Sequence, residues 1–113
     1  MQDTIAKIRR FRDERDWKKF HDPKNLAASI SIEAGELLEL FQWMSGEEAT
    51  RFAAEHKERV SEEVADVAIY LIELADITGI DLARAIEEKL EKNAKKYPVE
   101  KSRAVWTKYT DLK

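Results

Sequence analysis

The sequence contains no cysteine. Disulfides, thiolate metal sites and a cysteine nucleophile are therefore excluded. Glycine and proline are scarce as well, with three and two residues among 113. So little punctuation favours a few long helices over many short strands. Positive charge is not in excess, since 20 Lys and Arg against 23 Asp and Glu leave a net charge of −3. A chain without a basic surplus has little to set against a phosphate backbone, so a nucleic-acid polymer is not an expected partner. A small nucleotide held through a divalent cation remains compatible, because the cation supplies the positive field. No apolar run nears the roughly 18 residues of a membrane-spanning helix. Met1-Gln2-Asp3-Thr4 leads into a charged segment rather than a secretory apolar core. The expectation is a cytoplasmic protein with no membrane partner.

Apolar residues make up 43% of the chain and charged residues 38%, which suits strongly two-faced elements in one domain over 1–113. Ile5, Ile8 and Phe11 recur at three-residue spacing and predict a first helix over 3–16. An irregular stretch follows, and Asp22-Pro23 reads as a turn opening a second helix over 24–44. Ser45 and Glu48 are spaced as a capping box for a short helix near 47–55. A long helix over 57–78 should end at Gly79, a left-handed cap. Asp81 should cap a last long helix that Pro98 stops after Tyr97, leaving 99–113 as an arm or short helix. No segment alternates with period two, so the expected fold is an all-α antiparallel four-helix bundle. The second and third long helices are apolar over more than half their circumference, which predicts a homo-oligomer with those helices near its centre.

Those same two helices carry acids on the wrong side. With Glu33 as origin, Leu26, Leu37, Leu40 and Met44 fall within about 40° at helical pitch, and Glu36 lies about 60° round. With Glu63 as origin, Val67, Tyr70, Leu74 and Ile77 fall within about 40°, and Asp66 lies about 60° round. Two i,i+3 acidic pairs thus face the apolar stripes, and such neighbours can turn their oxygens onto one ion. Acids in an apolar interior are costly unless protonated, paired or metallated. All-oxygen ligands, without cysteine or a matching histidine, select Mg²⁺ or Mn²⁺ over zinc. A di-iron site is excluded because neither His21 nor His56 follows a Glu three positions earlier. Glu39, Glu47, Glu48, Glu62, Glu73, Glu87, Glu88 and Glu91 read as solvated surface groups.

The pattern resembles a known family. Glu33-x-Gly35-Glu36-Leu37-x-Glu39-Leu40-Phe41-Gln42-Trp43 and Glu62-Glu63-x-x-Asp66-Val67-x-Ile69-Tyr70-Leu71 are similar to motifs of the all-α MazG nucleoside triphosphate pyrophosphohydrolases. Glu14-Arg15-Asp16-Trp17, Phe20-His21-x-Pro23-x-Asn25-Leu26, Lys89, Asn93 and Tyr97-Pro98 extend the likeness to the dCTP pyrophosphatase branch over nearly the whole chain, as does Lys108-Tyr109-Thr110. The resemblance implies Mg²⁺-dependent hydrolysis of dCTP or a modified dCTP to the monophosphate and pyrophosphate. It implies metal binding by Glu33, Glu36, Glu63 and Asp66, with Glu36 as general base. It also implies phosphate contacts from Lys89, Asn93 and Lys96, a nucleoside pocket from Trp17, His21, Trp43 and Tyr70, and a dimer or tetramer with sites at subunit contacts. The branch carries a histidine near the position of Phe11, so reaction class is the firmer implication and the preferred base the weaker. The competing readings are a helical oligomer that binds a nucleotide without turning it over, and a structural interaction domain.

Overall fold

The computed structural model describes residues 1–106 and 108–111, and for Tyr109 the backbone alone; Thr107, Leu112 and Lys113 of the expected C-terminal arm lie outside the described residues. The elements are α1 (Gln2–Glu14), a 3₁₀ turn (Lys18–Phe20), α2 (Pro23–Glu39), α3 (Gly46–Glu55), α4 (Lys57–Ile77), α5 (Leu82–Lys96), α6 (Val99–Ser102) and a 3₁₀ turn (Tyr109–Asp111). No strand occurs among the described residues, as the scarcity of turn residues and the absence of alternation predict. Two compact units form, Met1–Gly79 and Ile80–Lys113.

In the first unit α4 is the common partner, with α2, α1 and α3 all packed against it. The α2–α4 pair runs antiparallel. His21, just ahead of α2, meets Glu73 late in α4, whereas Glu36 and Leu40 share a cavity with Arg59 and Glu63 near its start. Leu26 is wholly buried, and Ile72 and Ala75 join it in the core. Two polar side chains are buried as deeply, Arg12 and Glu73. Arg12 donates from Nε to Asp13 at 2.9 Å, and its Nη1 lies 3.6 Å from Asp76. Asp76 also accepts from Arg9 Nε, at 3.0 Å to each oxygen.

Local chemistry sets the helix ends. After α1 the N–H of Asp16 reaches Asp13 O at 3.1 Å and that of Trp17 reaches Arg12 O at 3.1 Å. Asp16 turns left-handed at φ 54° to allow this paired closure, a conformation aspartate tolerates better than most residues. Asp22 caps α2 by accepting the N–H of Asn25 at 2.7 Å, with Pro23 in the first turn. The capping box of α3 is present in both directions between Ser45 and Glu48. Gly79 takes φ 70° past the end of α4, and Asp81 caps α5 by accepting the N–H of Arg84 at 3.2 Å.

One boundary corrects the sequence reading. α2 stops at Glu39, not Met44, and Leu40–Trp43 form turns. The N–H groups of Phe41 and Met44 bond three residues back, to Leu38 O at 2.9 Å and Phe41 O at 3.0 Å. Ser45 must be extended to cap α3, at φ −70° and ψ 169°, so the chain leaves helical geometry before it. The Phe41 ring then packs edge-on against Phe52 of α3, with centroids 5.9 Å apart.

In the second unit α5 is amphipathic, with basic Lys95 and Lys96 in its last turn, favourably placed against the helix dipole. It closes at Tyr97, ahead of Pro98.

Candidate active site

Three of the four paired acids of α2 and α4 converge. One carboxylate oxygen from each of Glu33, Glu36 and Glu63 lies within 4.8 Å of the others, a spacing that could hold a metal ion. Asp66, one turn further along α4, is not part of that trio, yet its charge acts on both Glu33 and Glu63. Glu33 is pushed up to about 7, first by hydrogen bonding to the Glu36 carboxyl, then by burial and by the charges of Glu36, Asp66 and Glu63. Burial also raises Glu63, reinforced by Glu36, Asp66 and Glu62 and opposed by Arg59. Glu33 Oε2 and Glu63 Oε2 are both shut off from solvent without a hydrogen-bond partner. Clustered hard oxygens, mutual repulsion and unsatisfied lone pairs together fit a divalent cation such as Mg²⁺ or Mn²⁺. A cavity of about 440 Å³ opens beside the trio, lined by Glu36, Glu39, Leu40, Met44, Phe52, Arg59 and Glu63. Glu39 is exposed as expected, but it borders this cavity.

A second cavity, of about 140 Å³, is lined by Ile8, Phe11, Trp17, His21, Ile69, Tyr70 and Glu73. The closure of α1 delivers Trp17 to it, and the turn ahead of Asp22 delivers His21. The rings form a chain: Phe11 to Trp17 at 5.7 Å, Trp17 to His21 at 6.4 Å and His21 to Tyr70 at 6.3 Å between centroids. Tyr70 links this cavity to the acids. Burial raises its hydroxyl, and the charges of Glu33, Glu73 and Asp66 raise it further.

Three of the four expected nucleoside residues, Trp17, His21 and Tyr70, therefore line one cavity. Trp43 does not; it stands 88% exposed in the turn after α2. On α5 of the second unit, Lys89 and Asn93 border a shallow groove with Ala85, Ile86 and Leu90, and Lys96 is exposed near the helix end.

Glu73 is the residue that sequence reasoning misplaced. Rather than a solvated surface group it is 4% exposed, with Oε1 3.3 Å from His21 Nδ1. Burial raises its carboxyl, while His21 and Arg12 oppose the rise. A signal was there. Asp66, Tyr70 and Glu73 stand at i, i+4 and i+7, which places all three on one stripe of α4.

The MazG-like family matches residues 28–112. The chain belongs to that family. Among similar proteins, dCTP pyrophosphatase 1 of Rattus norvegicus is 47% identical over 96% of this chain and 68% of its own length. The Homo sapiens dCTP pyrophosphatase 1 is 41% identical over the same shares. The crystal structure of a pyrophosphatase from Archaeoglobus fulgidus superposes with a TM-score of 0.84 at 49% identity, covering 87% of this chain and 92% of that one. The all-α MazG-like fold inferred from the sequence is thus the one observed. Among the described residues, no helix is long and apolar enough to cross a membrane.

Proposed function

We propose that this MazG-like chain, acting as a single domain, is a dCTP pyrophosphatase that cleaves dCTP or a modified dCTP to the monophosphate and pyrophosphate. The observation that carries this reading is the convergence of Glu33, Glu36 and Glu63 within 4.8 Å, with an aromatic cavity further along α4 at Ile69, Tyr70 and Glu73. Four relatives at 41–47% identity, each named dCTP pyrophosphatase 1, support it. Mg²⁺, with Mn²⁺ as a substitute, would be held by Glu33, Glu36, Glu63 and Asp66. When bound it polarises phosphate oxygens and stabilises charge on the departing pyrophosphate.

Glu36 is the proposed general base, taking a proton from the water that attacks phosphorus as the phosphoanhydride bond to pyrophosphate breaks. Trp17, His21 and Tyr70 form the nucleoside pocket, where ring faces can stack on a base. Lys89, Asn93 and Lys96 are the proposed phosphate contacts; Lys89 and Asn93, at i and i+4, share one side of α5. A second copy of the chain is proposed to cover the exposed apolar side chains of α2 and α4, in a dimer or tetramer that gives the Trp43 ring a partner. The protein is proposed to work in the cytoplasm.

The test incubates the purified protein and Mg²⁺ with dCTP, 5-substituted dCTP, dTTP, dUTP, dATP, dGTP and CTP, then resolves the products. Monophosphate with pyrophosphate, abolished by EDTA, is expected. Diphosphate with orthophosphate would show that the wrong bond has been assigned. Mg²⁺-dependent nucleotide binding with no product would turn the reading to a non-catalytic binding oligomer.

A further inference from the structure

The aromatic cavity contains a polar pair that metal-assisted hydrolysis leaves without a task. Most of its wall is carbon and ring surface, from Ile8, Phe11, Trp17, Ile69 and Tyr70; the remainder is His21 and Glu73. A carboxyl only 4% exposed is rare unless something holds it there. Here the holding is visible. His21 Nδ1 lies 3.3 Å from Glu73 Oε1, and the Arg12 charge acts on the same carboxyl. Arg12 is in turn fixed by Asp13 at 2.9 Å and Asp76 at 3.6 Å. The His21 contact is off hydrogen-bond geometry. A carboxylate offers about four lone-pair sites, so these neighbours orient Glu73 without saturating it. Tyr70 stands between Glu73 and the metal-binding acids, close enough that charges on both sides act on its hydroxyl. A nucleotide with its phosphates at the acids can therefore carry its base past Tyr70 to the wall where Glu73 stands.

We propose that Glu73 determines base specificity, its carboxyl oxygen accepting a hydrogen bond from the exocyclic 4-amino group of cytosine and rejecting the 4-keto oxygen of uracil or thymine. The inference rests on the pyrophosphohydrolase reading above and deepens it. An ionised carboxylate only accepts, and the amino group supplies the donor; Glu and Asp read cytosine N4 in the same way elsewhere. A 4-keto base would set two acceptors against each other inside an apolar wall. Sites built around one such hydrogen bond reject the analogue that lacks it far more strongly than apolar pockets reject a missing methylene.

The test measures dCMP and dUMP affinity, alongside dCTP and dUTP hydrolysis, for the Mg²⁺-loaded protein and for Glu73→Gln. A preference for cytosine of at least about tenfold is expected, collapsing to about threefold or less in Glu73→Gln because the amide can turn its N–H toward a keto oxygen. An equal loss on both nucleotides, or an unchanged ratio, overturns the proposal, since a purely structural role scales both alike. Should Glu73→Gln fail to fold, the unaltered protein decides the matter with the 2-pyrimidinone nucleotide, which lacks the 4-amino group. A loss of about tenfold against dCMP supports the assignment, and equal affinity overturns it. Base-selective binding without hydrolysis would preserve the role of Glu73 and remove the pyrophosphohydrolase reading. Hydrolysis without base preference would do the reverse.

Discussion

Glu33 on α2 and Glu63 on α4 each turn an Oε2 into the same seam, shut off from solvent and without a hydrogen-bond partner. With Glu36 they gather carboxylate oxygens within 4.8 Å. Glu33 is pushed up to about 7, chiefly by its hydrogen bond to Glu36, then by burial and by repulsion from the other acids. A divalent cation would satisfy the oxygens and relieve the repulsion together.

A pH-dependent metal effect follows. Glu33 is raised in the fold, from 4.5 to about 7, so the folded protein binds the extra proton and its contribution favours folding at low pH. That contribution is lost as pH rises through about 7, the direction also set by the raised Glu63. Metal-free protein should therefore lose stability across that interval from these groups. Added Mg²⁺ should raise Tm more at pH 8 than at pH 5.5, because binding must displace the proton at the lower pH. Thermal melts in EDTA and in Mg²⁺ at both pH values check this; an equal or smaller shift at pH 8 would count against metal binding by these acids.

Glu36→Gln should separate chemistry from substrate binding. Losing a general base costs roughly 10²–10⁴ in rate. The amide keeps the size of the side chain, so kcat should fall much more than affinity for the dCMP product. Steady-state kinetics paired with dCMP binding distinguish the outcomes. A rate within about threefold of the unaltered protein would remove Glu36 from the role of base.

How much of this was legible in the residues can be argued position by position. Capping chemistry is local, and Ser45–Glu48, Asp22-Pro23, Gly79 and Asp81 mark their boundaries as the sequence suggested. Glu33 and Glu63 were legible because helical pitch alone puts them on apolar stripes, whereas Glu36 and Asp66, expected on the same stripes, are exposed. The end of α2 was hidden, since Leu40 to Met44 are acceptable helix formers and it is the extended Ser45 cap that stops them. The stripe shared with Asp66 and Tyr70 hinted at Glu73, but what buries it was hidden for a different reason. Its partners Arg12 and His21 come from α1 and the turn before α2, and no single-helix projection brings three segments together.

Asp76→Ala should destabilise the fold by roughly 1–3 kcal/mol, the cost of leaving a buried charged group short of a partner. The group exposed to that cost is Arg12, which is 3% exposed. Asp76 is held below the usual carboxylate range chiefly by the hydrogen bond from Arg9, and further by the charges of Arg9 and Arg12. Its contribution is therefore present above the ordinary value of 3.8 and lost as pH falls through its lower folded value. Urea melts should show a gap between variant and parent at pH 7 that narrows below pH 3.8. A constant gap would mean packing, not charge, is what Asp76 supplies.

Leu26→Ala removes the one large side chain with no exposed surface among the described residues, at the start of the α2–α4 seam. Deleting a buried leucine costs about 2–5 kcal/mol through lost transfer energy and the cavity left behind. Denaturant unfolding with an unchanged slope checks this. A cost below about 1 kcal/mol would mean that the surrounding helices collapse freely into the space.

The last prediction concerns what lies against α4. Val64 and Leu71 are 49% and 42% exposed, and seven residues apart they share one stripe two turns long. Ile32 and Leu38 on α2 are more exposed still, at 62% and 64%. Leaving several large apolar side chains of two packed helices in water forgoes about 1.5–3 kcal/mol for each one that burial would cover. A second copy of the chain would remove that loss by presenting the same stripe in return, as two-fold contacts do. The double substitution Val64→Glu with Leu71→Glu would place like charges opposite each other across such a contact. Light scattering should report a dimer or tetramer for the parent and a monomer for the variant, with helical circular dichroism retained in both. A parent that is monomeric at high concentration would refute self-association, and an assembled variant would move the contact away from α4.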